Sequence, residues 1–468
     1  MRRKNKKQTI EKILVESYAA EGKSISRVDG KVLFIENVIP GDVVDVLLLK
    51  NKKDWGEGIV TRFHEYSKNR ISPFCNHFNV CGGCRWQMLP YEKQLQYKQQ
   101  QVEEQLKRIG KIDLPPVQPI IGAERNVYYR NKIEYTFGNK RYLLKEELKN
   151  ENITGNEDVA GFHAKGVFDK VVDIEQCYLQ EEPTNAIRNW VKEFGRAHNF
   201  SFYDIKQHSG FLRTMQIRIC TTGEIMANIV LGTDEAEKRE LLMGSLLKAF
   251  PSITTLLYTI NTKHNDSLYD LTPQVYHGKG YVQEKLGSFY FNIGPKSFFQ
   301  TNTYQAEKLY QATLELSQLT GKETVYDLYC GTGSIGIFVS SHAKKIIGVE
   351  TIKEAVDDAK KNAEINKINH AEFFVGDVID ICNNNFFSAH GKPDVIITDP
   401  PRAGMHEKLV NKILEIEAPR VVYVSCNVST QARDLQLLNE KYTVVKIQPV
   451  DMFPHTHHIE NVVALQLR

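Results

Sequence analysis

From residue 323 onward the chain alternates short apolar runs with helix-compatible stretches, a rhythm that leaves few folds open. The runs at 323–330, 344–350, 371–376, 393–399 and 420–426 are separated by helical pattern, and two more follow at 442–450 and 461–467. Strand alternating with helix predicts a parallel sheet wound on both faces. The fold class is therefore α/β, of the Rossmann-like kind. Open sheets of this kind bind ligands at the carboxyl ends of their strands. The residues at those ends are the first to consider.

The first run ends in Asp327-Leu-Tyr-Cys-Gly-Thr-Gly-Ser-Ile-Gly. Gly331 and Gly333 let the backbone turn sharply and approach a ligand where a Cβ would clash. Twenty residues past Cys330, the second run ends in Glu350, placed to accept hydrogen bonds from ribose hydroxyls. A bare Gly-x-Gly is shared with dinucleotide enzymes and with plain α/β turns. Three features favour S-adenosylmethionine. The third glycine is off the dinucleotide spacing, an acidic residue precedes the loop, and Asp377 ends the third run. The fourth ends in Asp399-Pro-Pro-Arg. Four successive strand ends bearing polar groups are hard to explain as packing.

Cys426, in Val-Ser-Cys-Asn, ends the fifth run. A thiol beside a methyl donor points to covalent catalysis. Carbon 5 of uracil is too weakly nucleophilic to take a methyl group unaided, and thiolate addition at carbon 6 makes it an enolate carbon. A base must then remove the carbon-5 proton. Glu460, just before the last run, is the candidate. The competing view of Cys426 is a small buried hydrophobe. His455, His457 and His458 invite a metal reading, against which Glu460 beside them counts.

Upstream, the first ~65 residues hold short β-prone runs separated by turns at Glu21–Gly22, Asp29–Gly30 and Pro40–Gly41–Asp42. About five strands in that span suit an OB-like barrel, a common binder of single-stranded nucleic acid. Residues 1–70 carry 15 Lys/Arg against 10 Asp/Glu, whereas the whole chain is only +3. A basic N-terminal segment suits an anionic partner such as RNA, or is simply a solvated face with a basic tail. Residues 91–109 place Leu95, Val102, Leu106 and Ile109 on one helical stripe, a packing face. Residues ~125–290 alternate short β runs with polar loops. The expected domains are 1–65, 66–290 (β-rich) and 291–468 (catalytic).

Cys75, Cys81 and Cys84 lie close together, with Cys177 far downstream. Zinc sites favour two short pairs, whereas three close cysteines and a distant fourth suit an iron–sulfur cluster. Zinc and incidental cysteines remain open, and Cys220, Cys330 and Cys382 are unassigned. Eight cysteines in 468 residues are too few for a disulfide scaffold and fit a reduced cytoplasmic protein. No apolar run approaches membrane-spanning length, and the N-terminus lacks the pattern of a secretory signal. Nothing points to an obligate protein partner, and a monomer is expected. Tyr128, Tyr129, Arg130, Asn131, Lys132, Phe298 and Phe299 either line an RNA path or form a strand that buries aromatics and exposes basic groups.

Several of these pieces resemble one family. Ser297-Phe-Phe-Gln-Thr-Asn, the Asp327 loop, Asp399-Pro-Pro-Arg-Ala-Gly, Val424-Ser-Cys-Asn and Asp451-Met-Phe-Pro-His-Thr-His-His-Ile-Glu are similar, in the same order, to the TrmA/RumA class of RNA uracil-5-methyltransferases. Tyr129-Arg-Asn-Lys-Ile-Glu-Tyr resembles the family's central region. Tyr18-Ala-Ala-Glu-Gly-Lys, Asp29-Gly-Lys-Val-Leu-Phe and Pro40-Gly-Asp resemble the TRAM domain of RNA-modifying enzymes.

The resemblance implies Cys426 as nucleophile and Glu460 as base. Gln300, Tyr329, Glu350 and Asp399 would contact S-adenosylmethionine, with Asp377 a further candidate, and Ser334 receives no role. It also implies that a helix at about 91–122 packs on the catalytic domain. The ribosomal branch carries a [4Fe-4S] cluster on cysteines arranged like Cys75, Cys81, Cys84 and Cys177. Together with the TRAM-like unit this implies 23S rRNA as substrate, tRNA being the alternative. A related class methylates cytosine with a cysteine after the proline of its fourth-strand motif, which Pro400-Pro401-Arg402 lacks. A different reading is a TRAM-type RNA-binding or assembly factor with a vestigial site. The intact Cys426, Glu460 and glycine loop count against it.

Overall fold

A computed structural model describes residues 8–19, 22–150 and 152–468. The basic residues at 2–7 and the Glu21 part of the first expected turn fall outside the described residues.

Near the N-terminus, Thr9–Leu14 pairs antiparallel with Val43–Asn51, while Ser17–Tyr18 pairs with Ser24–Val28. Ser24–Val28 continues to Lys31–Ile35, which runs parallel to Trp55–Glu65, and that strand returns to Val43–Asn51. Thr9–Tyr18 is thus one bent run whose halves pair with opposite ends of the row, so the sheet closes into an OB-like barrel. Among the described residues six strands are found where five were expected, because the first is broken at Val15–Glu16. Ile13, Val15, Leu33, Ile35, Val44 and Val46 fill its core.

The centre is a seven-stranded, mostly antiparallel sheet. Along Lys132–Gly138, Ile133, Tyr135 and Phe137 alternate inward with period two, joining Met215 and Ile217 in the core. Helices Thr184–Ala197 and Ala236–Ala249 add to that core. Neither helix was expected. Ile187 and Val191, and Leu242 and Leu246, repeat at the four-residue spacing that marks a buried helix face.

The third sheet holds all seven runs expected after residue 323. Its order is Ala371–Val375, Lys345–Glu350, Thr324–Leu328, Val395–Thr398, Arg420–Ser425, Glu460–Leu467 and Tyr442–Val450. The first five are parallel, and Glu460–Leu467 runs antiparallel between its two neighbours. Two apolar cores flank it, one on each side.

The helix expected to reach about residue 122 ends earlier. Tyr91–Gln105 is α-helical and continues through a wider turn to Gly110. Lys111 then takes φ 50°, and the prolines at 115 and 116 remove the amide donors a helix needs. Residues 118–121 instead lie along the sheet edge. Gln118 N donates to Ile447 O at 3.0 Å, and Ile121 N to Pro449 O at 3.0 Å. Val102 and Leu106 are buried in the same core as Tyr326, Leu409 and Leu465. The expected stripe is shifted, because Gln94 and Lys98 take the buried positions ahead of Val102 while Leu95 is half-buried. Among the described residues no helix is long and apolar enough to cross a membrane.

Candidate active site

The loop after Thr324–Leu328 takes three left-handed residues in five: Tyr329 at φ 61°, Gly331 at 52° and Gly333 at 77°. A non-glycine residue in that region stores strain, which concentrates at ligand-holding loops. A Cβ on Gly333 would sit 3.0 Å from Ala359 and the Phe373 ring, whereas one on Gly331 would meet nothing within 4 Å among the described residues. Gly333 therefore answers to packing and Gly331 faces open space. Asp327 begins this corner, accepting the Gly336 amide at 2.8 Å. Glu350, at the end of the neighbouring strand, accepts the Gly331 amide at 3.2 Å and the Ile352 amide at 3.0 Å.

The other expected cofactor residues divide. Gln300 is buried, its carbonyl held by Asn131 Nδ2 at 2.9 Å. Asp399 follows the fourth strand, and burial raises its carboxyl pKa well above the usual range. Asp377 is exposed, and its side chain accepts the Ile379 amide at 2.9 Å, capping the short helix Val378–Ile381. It still stands near enough to Tyr329 to raise that phenol, after burial itself. Ser334 bonds to Tyr310 at 2.9 Å.

Ser425 and Asn461 are paired in the antiparallel register of the fifth and last strands. Cys426 directly follows Ser425 and Glu460 directly precedes Asn461, at the same end of the sheet as the glycine loop. Burial pushes the Cys426 thiol up to about 11, the negative charges of Glu460 and Asp399 add to it, and the Arg402 guanidinium pulls it down. Glu460 is buried, and desolvation followed by the charge of Asp399 raises its carboxyl, again against Arg402. Arg402 Nη2 also lies 3.5 Å from His458 Nδ1. Sequence reasoning noticed Arg402 only as the end of Asp-Pro-Pro-Arg. Its position three residues beyond a strand-end carboxylate was the available signal.

Residues 273–468 match the family described as tRNA (Uracil-5-)-methyltransferase. A protein of Bacteroides thetaiotaomicron, described as an uncharacterized RNA methyltransferase, is 50% identical over 96% of this chain and 100% of its own length. One of Porphyromonas gingivalis with the same description is 46% identical, covering 96% and 98%. The chain belongs to the RNA uracil-5-methyltransferase family. The crystal structure of the Pyrococcus abyssi tRNA (uracil-54, C5)-methyltransferase with S-adenosyl-L-homocysteine is similar to it over 97% of this chain and 100% of that one. The TM-score is 0.75 and the identity 27%. The protein is an S-adenosylmethionine-dependent RNA methyltransferase.

In this methyltransferase Cys75, Cys81, Cys84 and Cys177 line one cavity of about 300 Å³. The Glu175 amide donates to His77 Nε2 at 3.1 Å, joining the two distant segments. Burial raises all four thiols, Cys84 to about 12 and Cys177 to about 11, and the charges of neighbouring cysteines add to the rise in Cys75, Cys84 and Cys177. Among the described residues no group of three or more His, Cys, Asp or Glu side chains is arranged to hold a metal ion. Cys220, Cys330 and Cys382 are buried in apolar cores.

The proposed RNA path is partly structural. Tyr129 is buried with its hydroxyl on Pro454 O at 3.0 Å, Asn131 holds the Gln300–Thr303 segment, and Phe299 lies in the core. Tyr128, Arg130 and Lys132 are half-buried, and Phe298 is exposed. His455 Nδ1 lies 3.1 Å from Gln94 Nε2, so that histidine serves the loop's packing.

Proposed function

We propose that this methyltransferase converts a uridine of 23S rRNA to 5-methyluridine through a covalent Cys426–uracil adduct. The observation supporting this reading is that Cys426 and Glu460 adjoin the paired residues Ser425 and Asn461, near enough for the charge of Glu460 to raise the Cys426 thiol. The Cys426 thiolate adds to carbon 6, and the carbon 5–carbon 6 electron pair moves into an enolate. Gln300, Tyr329, Gly331, Gly333, Glu350, Asp377 and Asp399 would hold S-adenosylmethionine, which would supply the methyl group to carbon 5 and depart as S-adenosylhomocysteine. The Glu460 carboxylate then takes the carbon-5 proton, the double bond reforms, and Cys426 leaves as thiolate. The target base leaves its stack to reach both groups, and a single-stranded loop makes that least costly.

We assign residues 1–65 to a TRAM-type RNA-binding unit, 66–290 to a central domain, and 291–468 to the catalytic domain, with the 91–122 segment packed on the latter. Cys75, Cys81, Cys84 and Cys177 fit a [4Fe-4S] cluster, because a cluster takes one thiolate per iron and its ligands surround a cavity rather than meet at a point. Methyl transfer needs no electrons, so these residues serve to hold the central domain and the RNA surface in shape. A cytoplasmic monomer is the working form.

The barrel and the cysteine set support the ribosomal substrate. One observation favours tRNA instead: the solved tRNA methyltransferase is similar across 97% of this chain, barrel included. Labelled S-adenosylmethionine supplied with unmodified 23S rRNA and tRNA, followed by digestion to nucleosides, separates the two. Labelled 5-methyluridine from 23S rRNA supports the proposal, and label in tRNA alone replaces the substrate. RNA binding without methyl transfer would leave a binding or assembly factor.

A further inference from the structure

The loop 451–459 delivers Glu460 to the sheet edge, and its anchors come from segments far away in sequence. Val450 and Glu460 face each other across the last strand pair, so the loop's two feet stand side by side. At one foot, Asp451 has a fully buried side chain. Its carboxylate accepts Lys98 Nζ at 2.6 Å, the Tyr91 hydroxyl at 2.8 Å and the Phe453 amide at 3.1 Å. Lys98, also fully buried, gives a second hydrogen bond to Phe453 O at 3.1 Å. Gln94, one turn earlier on the same helix, accepts the His455 amide at 2.8 Å.

A buried ion pair is weak support for stability as such, because desolvation offsets much of the attraction. An apolar pair would pack the helix equally well. What the pair adds is a fixed place for the loop, since each partner is costly to bury alone and the hydrogen bonds reach only one arrangement.

We infer that Lys98 is a positioning residue for Glu460, acting through Asp451 to hold the loop in the arrangement that lets the adduct resolve. This rests on the reading of Cys426 as nucleophile and Glu460 as base. Cys426 directly follows the fifth strand, Arg420–Ser425, and not the loop 451–459, so Lys98 bears on adduct release more than on adduct formation or methyl transfer.

The test uses the full-length protein and whichever unmodified transcript, 23S rRNA or tRNA, the wild type methylates. In single turnover, Lys98→Met is expected to transfer methyl at a near-wild-type rate per active molecule. It should then release the detergent-stable protein–RNA adduct roughly ten- to a hundredfold more slowly. Tyr91→Phe should shift the same way by a smaller factor. A purely structural role lowers the amplitude of both phases and leaves their rate ratio unchanged, and that result in both variants overturns the inference. If Lys98→Met does not fold, the ratio in Tyr91→Phe decides alone. Glu460→Gln run alongside separates the two layers. If it releases its adduct at the wild-type rate, the base assignment itself has failed. If it traps the adduct while the Lys98 and Tyr91 variants do not, only the positioning inference falls.

Discussion

Asp327 accepts the Gly336 amide with one carboxylate oxygen at 2.8 Å and buries the other without a partner among the described residues. Burial accordingly raises its pKa to about 7, with Asp399 and Glu350 adding to the rise. The folded protein thus holds a proton that the unfolded chain gives up near pH 4. The stability contribution is full below that pH and is lost as pH rises to about 7, at about 1.4 kcal/mol per unit of separation. Asp327→Asn should flatten the decline in melting temperature between pH 5 and pH 8, as read by thermal denaturation. An unchanged slope would place the titration elsewhere.

Cys426→Ala should abolish both turnover and the covalent adduct with 5-fluorouridine RNA, whereas Glu460→Gln should methylate and then accumulate adduct. Denaturing gels report both. An adduct surviving in Cys426→Ala would mean that another residue is the nucleophile.

The Cys426 thiol, raised to about 11, is mostly protonated near neutral pH. Adduct formation should therefore climb about tenfold per pH unit until the thiol ionises. Arg402→Ala removes a charge that favours the thiolate. It should slow adduct formation about tenfold at pH 7 and approach the wild-type rate in alkali. A pH series on 5-fluorouridine RNA measures this, and parallel profiles at all pH values would remove Arg402 from the role.

Gly331 and Gly333 should fail differently. Gly333→Ala meets Ala359 and Phe373 and should cost roughly 1–3 kcal/mol of stability. Gly331→Ala points into open space, so beyond the same backbone strain it should chiefly weaken S-adenosylmethionine binding. Thermal melts and titration calorimetry distinguish the two.

Purified without oxygen, the protein should be brown with about four irons per chain, and Cys177→Ala should lower that content. Colourless protein with one zinc per chain would overturn the cluster assignment.

The catalytic half was legible because its physics is local. A parallel strand buried on both faces reads as an apolar run, and its polar end residue stands out against it, as Glu350, Asp399 and Cys426 do. Asp377 shows the limit of that logic: a carboxylate at a strand end is also an ordinary helix cap. The Lys98–Asp451 pair was not legible. Its partners are 353 residues apart, and a lysine on an amphipathic helix reads as solvent-facing until a buried acid is found beside it. The end of that helix at Gly110 was missed although the prolines at 115 and 116 announced it.

The strip of chain at 118–121 along the outer strand Tyr442–Val450 carries an implication for how the molecule is made. The ribosome releases that strip more than 300 residues before the strand it covers. During synthesis the helix ahead of it, with Val102 and Leu106 uncovered, has no seat until the helix Val428–Leu438 emerges. A fragment beginning at residue 291 would reverse the problem, leaving a bare strand edge open to pairing with other chains. The C-terminal sheet is therefore finished only when segments more than 300 residues apart in the chain meet.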